Sequence, residues 1–255
     1  MNMAQKLLVC RFPRPDAKIR LVFFPWAGGG AAYYINAGKN FLETIEVWGI
    51  CLAGREGRFK EPPCNSLSDV LEELVTGVYN VCKDKPVAFF GHSLGAILSY
   101  ETAIRLKARY NTEPVRMFVS GISAPQSELK KQAKRKYDTS EFTDDEFIEF
   151  LRKLNGTPSE VLNNKELMSL FLPSLRADYS LIDQHDCDKL PPLDQRLTCP
   201  IDIFDGVDDV EHDLEGWREV TTGPSTIQKL PGAHFYLKDP ENMGRLVQHM
   251  TDSLT

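Results

Sequence analysis

Short apolar runs and longer periodic stretches alternate through the first half of the chain. Residues 19–24 (IRLVFF) are apolar and β-rich and stop at Pro25 and a glycine run. Residues 46–52 (EVWGICL) stop at Ala53 and Gly54, residues 87–90 (VAFF) follow Pro86 and stop at Gly91, and residues 115–120 (VRMFVS) follow Pro114. Runs this short, apolar on both faces and bounded by breakers, predict strands buried in a parallel sheet. Between them, residues 66–82 set Leu67, Val70, Leu71, Leu74, Val75 and Val78 on one face of a helix, and residues 94–109 predict another. Strand–helix alternation of this kind predicts an α/β fold with right-handed crossovers.

The pattern changes after Pro125. Residues 126–190 hold no strand signal. Thr143-Asp-Asp-Glu146 predicts a capping box that opens a helix. Phe147, Phe150, Leu151 and Leu154 then recur at helical spacing, and Asn155-Gly156-Thr157-Pro158 ends it. Residues 165–182, with Leu167, Met168, Phe171, Leu172 and Leu175, predict a second helix kinked at Pro173. Strand patterns return at residues 200–205 and 226–230, and a last helix covers residues 241–254. The expectation is one α/β domain over residues 1–255, with a mostly parallel sheet and a helical insertion at about residues 126–190.

Composition and charge narrow the function. The chain has 255 residues, enough to bury a core without disulfide or metal staples. Lys and Arg total 30 and Asp and Glu 36, a net charge of −6. Nonspecific nucleic-acid binding needs basic surface, so no nucleic-acid partner is expected. The cysteines Cys10, Cys51, Cys64, Cys82, Cys187 and Cys199 form no CxxC pair and no zinc spacing, so no metal is expected. Scattered thiols fit small buried apolar residues in a reducing compartment. The apolar run at residues 7–10 is too short for a signal peptide, and no stretch approaches the roughly 20 residues that span a bilayer. A cytoplasmic protein without membrane attachment is expected.

The chemistry is carried first by Gly91-His92-Ser93-Leu94-Gly95, which follows the 87–90 strand and opens a helix. The G-x-S-x-G spacing alone arises by chance in about one chain in ten of this length. The strand before it and the helix after it are what point to a nucleophile elbow, a sharp turn that leaves a strained serine exposed. The backbone N–H of Leu94, at the helix N-terminus, then faces a developing oxyanion.

A serine nucleophile needs a base, and the base needs an orienting carboxylate. Of the five histidines, His92 lies inside the elbow with its side chain expected to point away, and His185, His212 and His249 read as solvated. His234 differs, because it sits late in the chain in Leu230-Pro-Gly-Ala-His234, a turn just after a strand. The acid belongs on the loop after the 200–205 strand, where Asp205, Asp208 and Asp209 qualify equally by position. A second oxyanion donor belongs on a glycine-rich loop after an early strand, which Phe24-Pro25-Trp26-Ala27-Gly28-Gly29-Gly30 supplies. No GK[ST] or GxGxxG follows, so a phosphate cradle is the weaker reading of those glycines.

FPWAGG, GHSLG and PGAHFYL together resemble the type II thioesterases. So do LAGREGR at residues 52–58, NGTP at residues 155–158 and LRAD at residues 175–178. That family includes stand-alone editing thioesterases of polyketide and nonribosomal peptide synthesis and the medium-chain thioesterase of animal fatty acid synthase. The resemblance runs from about residue 18 to 250 and departs at Ala53, where the family usually has proline. It implies an α/β-hydrolase fold with a helical lid, Ser93 as nucleophile, His234 as base and Asp209 as acid. It also implies Ala27 and Leu94 as oxyanion donors.

The expected activity is hydrolysis of acyl or aminoacyl thioesters from the phosphopantetheine arm of a carrier protein, as in editing of stalled polyketide or nonribosomal peptide synthases. The alternative is release of medium-chain acyl groups from fatty acid synthase. A carboxylesterase or lipase with the same triad would ignore the carrier protein, and a non-catalytic scaffold would have a broken triad. No cofactor is expected beyond the substrate's own phosphopantetheine, and the enzyme is expected to be a monomer. Phe142, Phe147, Phe150, Leu154, Met168, Phe171 and Leu172 are expected mainly to pack the lid, with some free to line an acyl channel. Lys130-Lys-Gln-Ala-Lys-Arg-Lys136 places five cations in seven residues of an acidic protein. A solvated face explains such a run, and docking of an acidic carrier is the functional alternative.

Overall fold

The computed structural model describes residues 4–136, 139–153, 159–186 and 189–255. A short helix α1 (Ala4–Leu7) leads into β1 (Leu8–Val9), followed by β2 (Ile19–Phe24), α2 (Ala31–Ala37), β3 (Ile45–Ile50) and α3 (Leu67–Cys82). Next come β4 (Val87–His92), α4 (Leu94–Tyr110) and β5 (Arg116–Ser120). The helices α5 (Glu128–Lys136), α6 (Asp144–Lys153), α7 (Ser159–Leu162) and α8 (Lys165–Gln184) then intervene before β6 (Ile201–Gly206), β7 (Ser225–Leu230) and α9 (Pro240–Leu254). Between β5 and β6 no strand occurs among the described residues.

The strands form one sheet in the order β1-β3-β2-β4-β5-β6-β7. All pairs are parallel except β1 against β3. Alternation along each strand sorts side chains onto two covered faces. Val22, Phe24, Phe89, Val119 and Ile203 join the core under α3 and α4, where Leu71, Leu74, Val78 and Leu98 meet them. Leu21, Phe23, Phe90, Phe118 and Phe204 fill the opposite core with Tyr34 of α2 and Leu246 and Met250 of α9. This explains why the strand runs read as apolar throughout: each has a helical layer on both sides.

A third, smaller cluster belongs to the intervening helices. Phe147, Leu151, Leu162, Met168 and Leu175 are buried together, with Phe142, Phe150 and Leu172 packed against them. Most of the aromatic and aliphatic residues expected in that segment are therefore packing, whereas Phe171 is 46% exposed. Thr143 and Glu146 form the expected capping box, with the Thr143 N–H donating to Glu146 Oε2 at 2.8 Å and the Glu146 N–H to Thr143 Oγ1 at 3.3 Å. Leu154 and the Asn155-Gly156-Thr157-Pro158 stop lie outside the described residues. Pro173 lies inside α8 without ending it. No described helix is long and apolar enough to cross a membrane.

Candidate active site

The sheet order reverses direction between β2 and β4: β3 lies on one side of β2 and β4 on the other. A crevice opens at the carboxyl ends of strands at such a switch point, because the loops leave in opposite directions. Phe24, the last residue of β2, pairs with Gly91 of β4. The glycine-rich loop after β2 and the turn after β4 therefore flank one crevice.

Ser93 follows β4 directly and has φ 56° and ψ −121°, a positive-φ conformation that costs a residue with a Cβ. Its N–H donates to Ser120 O at 2.8 Å, which ties the turn to β5. Both motif glycines are sterically required. A Cβ on Gly91 would stand 2.2 Å from Gly95 O, and a Cβ on Gly95 would stand 2.1 Å from Phe24 O and 2.9 Å from Pro25 O. The start of α4, with Leu94, is thus seated against the loop that carries Ala27. That loop is a tight turn closed by the Gly29 N–H on Trp26 O at 2.8 Å, with Gly28 at φ 78°. This φ fits the third position of a type II turn, where glycine is favoured.

The loops after β6 and β7 are knitted by backbone bonds. Val207 N–H donates to Leu230 O at 2.8 Å, and Asp208 N–H donates to Gly232 O at 3.0 Å. The result brings His234 Nδ1 to 2.8 Å from Asp209 Oδ2. Of the three aspartates left open by position, Asp209 thus meets His234, Asp208 faces solvent and Asp205 is buried against a different histidine. Burial pushes the Asp209 carboxyl up, but the His234 hydrogen bond and the charges of His234 and His212 outweigh it, so its pKa is lowered. Asp209 is therefore an ionised acceptor for the His234 ring.

His92 does not simply turn away from this crevice. Its ring is fully buried, 4.9 Å centroid to centroid from that of His234. Its Nδ1 lies 2.9 Å from Ser120 Oγ, which lies 2.7 Å from the Tyr236 hydroxyl. Burial first, and then the positive charges of His234, His212 and Lys238, hold its pKa well below the usual imidazole value. A neutral His92 thus packs between the elbow and the turn that bears His234.

The solvated reading of the remaining histidines is corrected. His212 Nδ1 lies 3.1 Å from Asp205 Oδ1 and 3.9 Å from Asp209 Oδ2. His185 is 3% exposed and its Nε2 bonds Glu101 Oε1 at 2.8 Å, while Lys130 contacts its Nδ1. His249 Nε2 lies 3.3 Å from Asp202 Oδ2. His185 and His249 face carboxylates distant in sequence, partners that no local pattern reveals, whereas Asp205 lies only seven residues from His212. Asp209, His212 and His234 each offer one ligand atom within 4.8 Å of the others, so they could hold a metal ion at the expense of the Asp209–His234 hydrogen bond.

Two motif residues without an expected role also meet here. Arg55 and Asp178, from the LAGREGR and LRAD segments, form a bidentate ion pair with Nη1–Oδ2 at 2.6 Å and Nη2–Oδ1 at 2.7 Å. Gly28 N–H donates to the same Asp178 Oδ2 at 2.7 Å. Glu56 φ is 45°, and its carboxylate accepts from Ala31 N–H at 3.1 Å and Ala32 N–H at 2.9 Å, capping α2 from another loop. Of the basic run, Lys130 contacts His185 and Lys131 Nζ lies 3.0 Å from Glu128 Oε1. The side chains of Lys134, Arg135 and Lys136 lie outside the described residues.

A mostly parallel sheet with this strand order and a strained serine between β4 and α4 defines a protein of the α/β-hydrolase fold. Solved structures agree. The type II thioesterase BorB from the borrelidin biosynthetic cluster superposes with a TM-score of 0.81 at 27% identity, covering 100% of both chains. The RedJ thioesterase from the prodiginine pathway of Streptomyces coelicolor gives 0.82 at 29% identity, over 95% of this chain and 88% of that one. Residues 19–254 match the thioesterase domain family, and the chain belongs to it. It is 37% identical over 238 residues to the medium-chain S-acyl fatty acid synthase thioesterase of Rattus norvegicus, covering 93% of this chain and 89% of the relative. It is 40% identical over 227 residues to the gramicidin S biosynthesis protein GrsT of Aneurinibacillus migulanus, covering 87% of this chain and 84% of the relative. The protein is thus a thioester hydrolase.

Proposed function

We propose that this enzyme hydrolyses acyl or aminoacyl thioesters from the phosphopantetheine arm of a carrier protein, with Ser93, Asp209 and His234 as its catalytic triad. The observation that carries the reading is the 2.8 Å bond between His234 Nδ1 and Asp209 Oδ2, which leaves the other ring nitrogen of His234 to serve as base. His234 Nε2 takes the Ser93 hydroxyl proton as Oγ attacks the thioester carbonyl carbon. The N–H groups of Ala27 and Leu94 stabilise the tetrahedral oxyanion, each worth about 3 kcal/mol. Its collapse breaks the carbon–sulfur bond, and the pantetheine sulfur takes the proton from His234. Water then loses a proton to His234 and attacks the acyl-serine carbonyl. The carbon–oxygen bond breaks, Ser93 regains its proton, and the free acid leaves.

The chemistry consumes only water besides the thioester and draws on no cofactor of the enzyme's own. In this reading residues 1–255 form one domain, and the helices between β5 and β6 act as a lid over the crevice. Editing of stalled synthases is supported by the likeness to GrsT and to BorB; release of medium-chain acyl groups is supported by the likeness to the rat enzyme. Hydrolysis rates over acetyl, aminoacyl and C8–C16 carrier thioesters separate the two. Ser93→Ala is expected to abolish thiol release and acyl-enzyme formation. Turnover surviving in that variant overturns the triad.

A further inference from the structure

The ion pair between Arg55 and Asp178 joins three segments that the chain keeps far apart: the loop after β2, the loop after β3, and α8. Asp178 is 1% exposed and Arg55 8%. The carboxylate does more than neutralise the guanidinium. Its Oδ2 takes two donors, Arg55 Nη1 at 2.6 Å and Gly28 N–H at 2.7 Å. Arg55 Nη1 in turn donates to Gly29 O at 2.9 Å. The side chains therefore hold the last two residues of the Trp26–Gly29 turn, one by its N–H and one by its carbonyl.

That turn has one other neighbour of consequence. A Cβ on Gly28 would stand 2.4 Å from Leu175 Cδ2. Leu175 and Asp178 are three apart on α8 and so share a face, and that face lies on the turn. One position before Leu175, Ser174 Oγ donates to Gly54 O at 3.0 Å, which fastens α8 to the loop of Arg55 as well. Burial alone works against the Arg55 charge, but Asp178 overcomes it and raises its pKa, so the pair is ionic.

We propose that Asp178 is a positioning residue for the hydrolysis: with Arg55 it anchors the Gly28–Gly29 half of the turn, and through it the Trp26–Ala27 peptide that carries the Ala27 N–H, so that the oxyanion hole is complete only when α8 is docked. The inference rests on the proposed roles of Ser93 and Ala27. Ala27 is the corner residue before Gly28, and its N–H belongs to the Trp26–Ala27 peptide, whose carbonyl accepts the Gly29 N–H. Asp178, by holding the Gly28 N–H, keeps Gly29 where its N–H grips the Trp26 carbonyl, and so sets the plane of the Ala27 N–H. A helix outside the sheet thereby sets the geometry of the reacting centre, and binding that displaces α8 also disarms the crevice.

Asp178→Asn keeps the shape and removes the charge and one acceptor. Its kcat on an acyl thioester is expected to fall about 100-fold, the size of a lost oxyanion donor, with KM changed less than threefold. Affinity for a trifluoromethyl ketone analogue, which forms the tetrahedral oxyanion, is expected to fall by the same factor as kcat/KM. Arg55→Lys keeps the charge and loses the fork, and is expected to lose about tenfold in both; it tests the idea if Asp178→Asn does not fold. A structural role alone lowers Tm without moving analogue affinity, and that result overturns the proposal. Fluorophosphonate labelling read by mass spectrometry separates the premises. Label on a residue other than Ser93 sinks the triad. Label on Ser93 at wild-type rate in folded Asp178→Asn sinks only the positioning role.

Discussion

Three glycines inside helices make a controlled test of how the elbow is packed. Gly244 in α9 has open space where a Cβ would go. Alanine there gains helix propensity of about 0.8–1.0 kcal/mol, which for a domain of this size raises Tm by about 2–4 °C. Gly77 in α3 would place its Cβ 2.5 Å from Leu7 Cδ2, the end of a flexible side chain, so the same propensity gain is largely offset. Gly95 in α4 is different in kind, because its Cβ would stand 2.1 Å from Phe24 O, 2.7 Å from Phe24 C and 2.9 Å from Pro25 O, all backbone. An ordinary carbon–oxygen contact is about 3.3–3.6 Å. The helix start or the end of β2 must therefore retreat by more than about 1 Å. Overpacking of this sort costs about 1–3 kcal/mol, which cancels or exceeds the propensity gain. A misplacement of 1 Å beside the reacting centre costs about 100-fold in rate. Gly95→Ala is therefore expected to melt at or below the wild type and to lose about 100-fold in kcat, while Gly244→Ala melts higher with full activity. Thermal unfolding by circular dichroism and thiol release from an acyl thioester measure both quantities. Gly95→Ala with raised Tm and wild-type kcat refutes the packing argument.

Two further outcomes follow from the site electrostatics. Asp209→Asn leaves the shape but no longer selects the His234 tautomer, so kcat is expected to fall by about 10⁴; a loss under tenfold, read by thiol release, means that another carboxylate orients His234. His92 is buried neutral with its pKa well below 6.5, so the unfolded chain takes up a proton near pH 6.5 that the native chain refuses. Its contribution is fully present above that pH and is lost as the pH falls, by up to about 1.4 kcal/mol per unit. Urea unfolding of His92→Gln between pH 7 and pH 5 is expected to show a shallower slope than the wild type, and an identical slope contradicts it.

The legible parts of the fold were those with a local cause. The runs at residues 19–24 and 87–90 read as strands because both faces of β2 and β4 are covered by helices. The helix start at Thr143 was legible because its two capping partners are three residues apart. By contrast α2 follows Gly30, which has no side chain to cap it, and its cap comes from Glu56 in another loop. The strand β1 has two residues, too few to show a period. Within the site, the elbow was legible from its glycines, whereas the choice among Asp205, Asp208 and Asp209 came only with the family resemblance. Asp205 proved to face His212, seven residues on, and Asp209 to face His234, 25 residues on. The Arg55–Asp178 pair spans 123 residues, and nothing local links the LAGREGR and LRAD segments that carry it.

The backbone of Ser93 has one more consequence. At φ 56° and ψ −121° a residue with a Cβ is held about 1–3 kcal/mol above its relaxed state. Glycine alone escapes that penalty. Ser93→Gly should therefore outlast both the wild type and Ser93→Ala on heating, although all that changes is a side chain of one or two heavy atoms. Selection for persistence alone would replace this serine, so its presence records a selection that stability opposes. A screen for thermostable variants of this enzyme would be drawn to inactive ones at position 93 unless activity is scored alongside.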